Sequence, residues 1–273
     1  MAGSERAWRA VFSDIDGTLI GSDKRMSPAT AEALRACAER GVFVTLSSSR
    51  SPQGIEPLVR DNDLRCCISA FGGGLLLDEG RRVLARHGFS PQTACDVVGF
   101  LECGGYDVTW NVYTADEWIA RDVADPRVRR EEDLVRTTAR DGRPQDLGPG
   151  DVVCKLLLMS EPEDSPDIER DLRAAFPQLA VTRSSDILVE VNARGVNKGV
   201  AVRELCEARG IDVADTIAFG DNYNDLRMLE AAGLSVVMGN APADIRRDAG
   251  MVTDDNDHDG VAHALHALIL DRA

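Results

Sequence analysis

Positive charge is in short supply in this sequence. Acidic residues outnumber basic ones by 46 to 31 over 273 residues, for a net charge of −15. So acidic a surface repels phosphate backbones and anionic lipids, which excludes nucleic acid and membrane as default partners. A phosphorylated small molecule would be repelled too, unless a bound cation and a local group of basic side chains held it. No apolar run approaches the roughly 20 residues of a membrane helix. The opening MAGSERAWRAVFSD also lacks the apolar stretch of a secretion signal. The expected location is therefore the cytoplasm. The seven cysteines form no C-x-x-C pair. An odd, unpaired set suits buried, inert thiols in a reducing compartment. Internal repeats and low-complexity tracts are also missing, which excludes solenoids and linker-like chains.

What is present is a globular chain. Hydrophobic residues make up 44% of it, enough for a sizeable core. Ala7 to Ser13 reads as an apolar strand. Ser27-Pro28 opens a helical pattern that stops at Gly41, with Ser27 as N-cap and Pro28 at the first helical position. Val42–Leu46 and Arg65–Ala70 are further strands, with a helix after the polar turn Ser47–Pro52. After Val196 the alternation resumes: helix to Gly210, strand Asp215–Phe219, helix to Gly233, strand Leu234–Met238, and a closing helix Val261–Leu270. Alternation of this kind implies a parallel sheet with helices on both faces. The middle differs. Strands are expected at Tyr106–Asn111, Glu117–Arg121 and Val152–Met159, helices at Pro91–Cys103 and Asp167–Phe176, and a loop at Arg136–Asp151. The expected division is core 1–86, inserted domain 87–186, core 187–273.

Four patterns carry chemistry. The first strand ends in Asp14-x-Asp16-Gly17-Thr18, which sends two carboxylates from one strand end into one crevice. Alone, such a pair also occurs in turns and in the metal sites of sugar-transfer enzymes. Gly220-Asp221-Asn222-x-Asn224-Asp225 follows another strand and crowds more acid onto the same rim, which a hard cation such as Mg²⁺ would balance. Ser47-Ser48-Ser49 ends the second strand, where hydroxyl and amide groups can hold phosphoryl oxygens; the alternative is a helix cap. Lys198 opens a helix, and by itself a solvated lysine is the ordinary alternative.

Together these four, with SDIDGTL, VNARGVNKG and FGDNYNDLRML…GNAPADIR…VTDDNDHDGVA, resemble the haloacid dehalogenase-like superfamily, specifically its Cof-type phosphatases with a large α/β cap. The resemblance covers nearly the whole chain, including NVYTADEWIARD in the cap. It implies a doubly wound, Rossmann-like parallel-sheet core with an inserted α/β cap domain. It further implies Asp14 as the nucleophile that becomes an aspartyl phosphate and Asp16 as general acid and base. Ser48 would be the phosphoryl-binding hydroxyl and Lys198 the cation that steadies nucleophile and transferring charge. Ser49, Arg50 and Gly72 would join Ser48 and Lys198 around the substrate. A Mg²⁺ ion would sit on Asp14, the Asp16 carbonyl and Asp221, with Asn222 and Asp225 holding its waters or Lys198. The substrate would be a small phosphorylated metabolite, a sugar or amino-sugar phosphate. Two positions depart from the family pattern. Ser48-Ser49-Arg50 stands for the usual Thr-Gly-Arg, and Phe71 stands where Asn is usual, which suggests an apolar wall at the substrate entrance.

Other patterns mislead. Asp255-x-Asp257-x-Asp259-Gly260 imitates a calcium loop, but its twelfth position is His266, not Glu. His258, His263 and His266 read as surface residues. Trp110, Tyr113 and Trp118 read mainly as packing, with one or two of them free to face a sugar-like ligand. Two rivals to a phosphatase stand: a phosphosugar mutase or phosphotransferase that returns the phosphoryl group to a sugar, and a non-catalytic binding protein on the same fold. The oligomeric state is not written in the sequence.

Overall fold

A computed structural model describes residues 7–272; the first six residues of the stretch read above for a secretion signal lie outside it. The chain forms two compact units. One takes the residues up to Ser49, Ile55–Ala85 and those from Asn197 onward; the other takes Arg50–Gly54 and Arg86–Val196. In chain order the elements begin with β1 (Ala10–Asp14), α1 (Pro28–Glu39), β2 (Phe43–Ser47), α2 (Pro52–Asp61), β3 (Cys67–Ala70), β4 (Leu75–Leu77) and β5 (Val83–Arg86). Next come α3 (Pro91–Gly104), β6 (Val108–Tyr113), β7 (Trp118–Ala120), α4 (Pro126–Val135), β8 (Arg140–Asp141), β9 (Lys155–Ser160), α5 (Ser165–Ala175), β10 (Leu179–Ser185) and β11 (Leu188–Ala193). The chain ends with α6 (Lys198–Arg209), β12 (Thr216–Gly220), α7 (Leu226–Ala231), β13 (Leu234–Val237), α8 (Ala243–Arg247), β14 (Met251–Val252) and α9 (Gly260–Leu265). Among the described residues, no helix is long and apolar enough to cross a membrane.

The first unit is an α/β core. Its sheet runs in the order β14-β13-β12-β1-β2-β3-β4-β5. The strands from β14 to β3 are parallel, and β4 folds back antiparallel on β3. Local chemistry sets the helix ends as the sequence suggests. Ser27 Oγ accepts the Thr30 N–H at 3.0 Å and caps α1, while Gly210 takes the left-handed conformation that ends α6. Ala10, Phe12 and Ala218 point to one face of the sheet and pack with Ala201, Val202 and Leu205 of α6 and Met228 of α7. Val11, Val44 and Ile217 alternate to the other face and are equally buried. On that side α1 packs against β2 and α9. Parallel strands buried on both faces explain the continuous apolar runs that made them legible.

The second unit is a sheet in the order β10-β11-β9-β6-β7-β8, antiparallel except for β7–β8. Trp110, Val112, Leu156, Leu158, Val189 and Val191 turn to α3 and α5 and form its core. This unit runs to Val196, ten residues beyond the expected boundary at 186. The cause is β11, which pairs with both β10 and β9 and so belongs to the inserted sheet. Trp110 is fully buried in the helix-facing core. Tyr113 and Trp118 stack at 5.2 Å and are also buried, so all three are packing residues. Five cysteines are buried, and burial pushes the thiols of Cys37, Cys66, Cys67 and Cys154 up to about 12 and that of Cys206 up to about 11. They are inert, as expected; Cys95 is half-buried and Cys103 exposed.

Candidate active site

The strand order places β1 between β12 and β2. In an open parallel sheet, a crevice opens beyond the carboxyl ends of strands whose connections lead in opposite directions. Asp14 ends β1 beside Ser47 of β2, and Ser13 pairs with Phe219 of β12. The three motif-bearing turns therefore leave the sheet at one edge.

Asp14 is buried at the centre of this edge. The Lys198 ammonium, first residue of α6, donates to Asp14 Oδ1 and, at 2.6 Å, to Asp225 Oδ1. Burial alone would push the Lys198 pKa down; the two carboxylates outweigh it and hold the ammonium above its ordinary value. Carboxylate oxygens of Asp14, Asp221 and Asp225 lie within 4.8 Å of one another. Three acids thus share one buried ammonium. The imbalance is visible at Asp14, whose carboxyl is pushed up to about 7 by burial, against the pull of Lys198 and with the help of Asp225 and Asp221. Asp221 is raised for the same first reason, burial, with the Thr18 hydroxyl pulling the other way. The donor set is hard oxygen with an excess of negative charge, which fits a divalent cation such as Mg²⁺.

Asp225 is already saturated. One oxygen accepts from Lys198, and the other accepts the backbone N–H groups of Asp221 and Asn222, each at 3.0 Å. Its geometry suits holding Lys198 and the 221–222 turn better than direct ligation. Asn222 is exposed, and its side-chain oxygen accepts the Tyr223 N–H at 2.8 Å, so it caps the following turn. Asp16, also exposed, lies in a tight turn in which the Ile15 carbonyl accepts the N–H groups of Thr18, Leu19 and Ile20. Gly17 is required there: its φ is +86°, and a Cβ would come within 2.5 Å of Asp221 Oδ2.

Ser48 is buried. Its N–H donates to Ser69 O at 2.9 Å and its carbonyl accepts the Gly72 N–H at 2.8 Å. The Ser48 turn and the glycine loop are thereby joined. Ser49 beside it is half-buried. Gly73 brings this loop against the Lys198 turn, because a Cβ there would overlap the Asn197 carbonyl. Phe71 differs from its sequence reading. It is 1% exposed, among the largest fully buried side chains, and its φ is +54°. It is core packing in a left-handed backbone conformation, not a wall at an entrance. Asn tolerates that conformation best among non-glycine residues, which gives a backbone reason for the family's usual residue. Arg50, expected beside Ser48, groups with the other unit through Arg50–Gly54. There it faces Glu131, whose carboxyl burial raises and Lys155 and Arg50 lower.

Two contributors escaped the sequence reading. Thr18 Oγ1 donates to Asp221 Oδ1 at 2.9 Å, and Asn240 Nδ2 donates to the Gly17 carbonyl at 2.9 Å. Both lie inside quoted motifs, DGT and GNAP, but a motif match assigns no partner to a hydroxyl or an amide.

Fold and site define an α/β protein whose acidic cluster lies at the strand ends of a parallel sheet. The chain belongs to the haloacid dehalogenase-like hydrolases, of the Cof type, and the profile of that family matches residues 11–265. A Haemophilus influenzae protein described as a candidate phosphatase is 34% identical over 260 residues, covering 93% of this chain and 96% of its own. The 5-amino-6-(5-phospho-D-ribitylamino)uracil phosphatase YwtE of Bacillus subtilis is 25% identical over 284 residues, covering 96% and 98%. Among solved structures, a haloacid dehalogenase-like hydrolase from Bacteroides thetaiotaomicron superposes with a TM-score of 0.87 at 26% identity, covering 96% of this chain and all of its own. The chain is accordingly an enzyme, a phosphatase of this superfamily.

Proposed function

We propose that the enzyme hydrolyses a small phosphorylated metabolite, a sugar or amino-sugar phosphate, with Mg²⁺ and through an aspartyl phosphate on Asp14. One observation carries this reading: Asp14 is buried, touches the Lys198 ammonium, and shares that single cation with two further carboxylates. A carboxylate attacks a phosphate dianion poorly unless positive charge offsets the repulsion. Asp14, Asp221 and the Asp16 carbonyl would hold Mg²⁺, which supplies that charge when bound.

The chain's own groups do the rest. An Asp14 oxygen attacks phosphorus and the bond to the leaving oxygen breaks; Asp16 gives that oxygen its proton. Asp16, now a carboxylate, takes a proton from water as the water attacks phosphorus. The acyl–phosphate bond breaks, Asp14 is regenerated and inorganic phosphate leaves. Ser48 and Ser49 offer hydroxyl and amide groups to the phosphoryl oxygens, Gly72 fastens the Ser48 turn, and Lys198 draws Asp14 toward its anionic form and aims it. Asp225 keeps Lys198 in place. The YwtE relative acts on a phosphorylated ribityl compound, which supports a polyol-like or sugar-like leaving group. Seven free thiols suit the cytoplasm.

The test is Asp14→Asn with Mg²⁺ and an aryl phosphate. Loss of at least about 10⁴-fold in kcat is expected, with an unchanged circular dichroism spectrum. Near-native turnover by this variant, or by the wild type in excess chelator, sinks the reading.

A further inference from the structure

Two asparagines, Asn240 after β13 and Asn256 in the acidic stretch before α9, grip the turn that carries Asp16. Asn240 Nδ2 donates to the Gly17 carbonyl at 2.9 Å. Asn256 Nδ2 donates to the Ile20 carbonyl at 2.9 Å, and its backbone N–H donates to Asn240 Oδ1 at 3.3 Å. Beside them the Ser22 N–H donates to Asp257 Oδ1 at 2.7 Å. The acids of this stretch, which imitate a calcium loop in sequence, accept bonds from the protein itself: Asp255 from the Asp257 N–H and the His258 ring, Asp257 from Ser22, and Asp259 from Ser27.

The turn has two halves held in different ways. On the Asp14 side it is closed from within, because Ile15 O takes three N–H groups of the turn itself. On the far side the carbonyls of Gly17 and Ile20 accept from distant segments. Asp16 sits between the halves. Its side chain springs from this turn, so the reach of its carboxyl depends on where the backbone on either side of it is held. Both ends of the Asn240 amide are used: Nδ2 donates to Gly17 O and, at 3.5 Å, to Asp221 Oδ2, and Oδ1 accepts the Asn256 N–H, so the two asparagines are joined.

We infer that Asn240 and Asn256 are positioning residues for Asp16: they set its distance to the leaving oxygen and therefore act on proton transfer. The inference rests on the acid role proposed for Asp16. A misplacement on the order of an ångström can cost about 10²-fold in rate, and a positioned acid matters most when the leaving group is a poor one.

The experiment compares kcat/KM, which reports the first phosphoryl transfer, for glycerol phosphate and for nitrophenyl phosphate. The nitrophenolate leaves without much help from an acid; the glycerol alkoxide does not. Asp16→Asn is the reference and should lose far more on the alkyl ester than on the aryl ester. Asn240→Ala should show the same ordering at smaller size, about tenfold on the alkyl ester and about twofold on the aryl ester. Asn256→Ala should follow it, with inhibition by inorganic phosphate unchanged in that variant. Equal losses on the two esters in the asparagine variants, or none, while Asp16→Asn keeps its difference, overturn the inference alone. Equal losses in Asp16→Asn itself overturn the acid role and the inference with it. If thermal melting shows Asn240→Ala to be unfolded, Asn256→Ala carries the same comparison.

Discussion

Each unit of this molecule carries a buried lysine among carboxylates, and the two clusters are built in opposite ways. In the core, Lys198 meets Asp14 and Asp225 at the ends of parallel strands, and each of these residues lies in a short motif. In the inserted unit, Lys155 Nζ lies 3.5 Å from Glu190 Oε1 and 5.6 Å from the centre of the Tyr113 ring. Glu131 adds a second carboxylate whose charge Lys155 favours. These residues come from four elements (β6, α4, β9 and β11) and no motif joins them. A parallel sheet gathers chemistry where strands end, so a strand followed by a polar turn announces it. An antiparallel sheet carries chemistry on a face, one residue in two, and neighbours on that face are remote in sequence. Function written at strand ends is therefore legible from sequence, and function written across a face is not.

The largest effect expected separates the two lysines by stability. Lys198→Met leaves Asp14 and Asp225 buried without their cation, which should cost about 4 kcal/mol in urea unfolding. Lys155→Met leaves Glu190, whose side chain is 15% exposed, with some access to water; about 2 kcal/mol is expected. Equal losses would break the comparison, because they would mean that the excess of acid around Lys198 carries no special cost.

Acidity sharpens the same point. The Asp14 carboxyl is raised in the folded state, mainly by burial, to about 7 from 3.8. Between these values the folded chain keeps a proton that the unfolded chain has lost, so the stability contributed by protonated Asp14 is full below about pH 4 and is lost as pH rises through about 7. Metal-free protein should therefore lose stability across that window relative to Asp14→Asn. Added Mg²⁺ favours the carboxylate and should flatten the difference. Parallel pH profiles for the two metal-free proteins would show that Lys198 alone neutralises Asp14. A shift of this size corresponds to about 4 kcal/mol across the window, of the same order as removal of Lys198.

How far the sequence could be read follows from the same contrast. Apolar runs revealed β1, β2, β3, β12 and β13, and cap residues such as Ser27 and Gly210 revealed where helices start and stop. Helix α4, PRVRREEDLV, was missed because Val128 is its one buried residue among those of the helix, so no apolar stripe marks it. The β10–β11 hairpin was missed because most of β10 beyond Val181 is exposed, and with it went the true end of the inserted unit. Of the acidic cluster, Asp14, Lys198, Asp221 and Asp225 were legible as motif residues. Thr18, Asn240 and Asn256 were not, since their roles are partners across the fold. Gly72 was expected to meet substrate, whereas Gly73 is the glycine that close packing demands.

Phe71 is the place where motif reading failed inside the core, and it offers the smallest and most discriminating test. Its ring is fully buried, so Phe71→Asn removes apolar contacts worth about 3 kcal/mol by comparison with other buried aromatic truncations. Its backbone is left-handed at φ +54°, a conformation that costs a phenylalanine about 1 kcal/mol and an asparagine less. The two effects oppose each other, and the net loss expected in urea unfolding is about 2 kcal/mol. Because the Gly72 N–H next in sequence fastens the Ser48 carbonyl, any loosening of this loop should reach the Ser48 turn, which on the proposed function every substrate would share. Turnover of an aryl phosphate and of the best sugar phosphate should therefore fall by the same factor. A selective loss on the sugar phosphate, with stability unchanged, would return Phe71 to the substrate and show that burial in the core misjudges this loop.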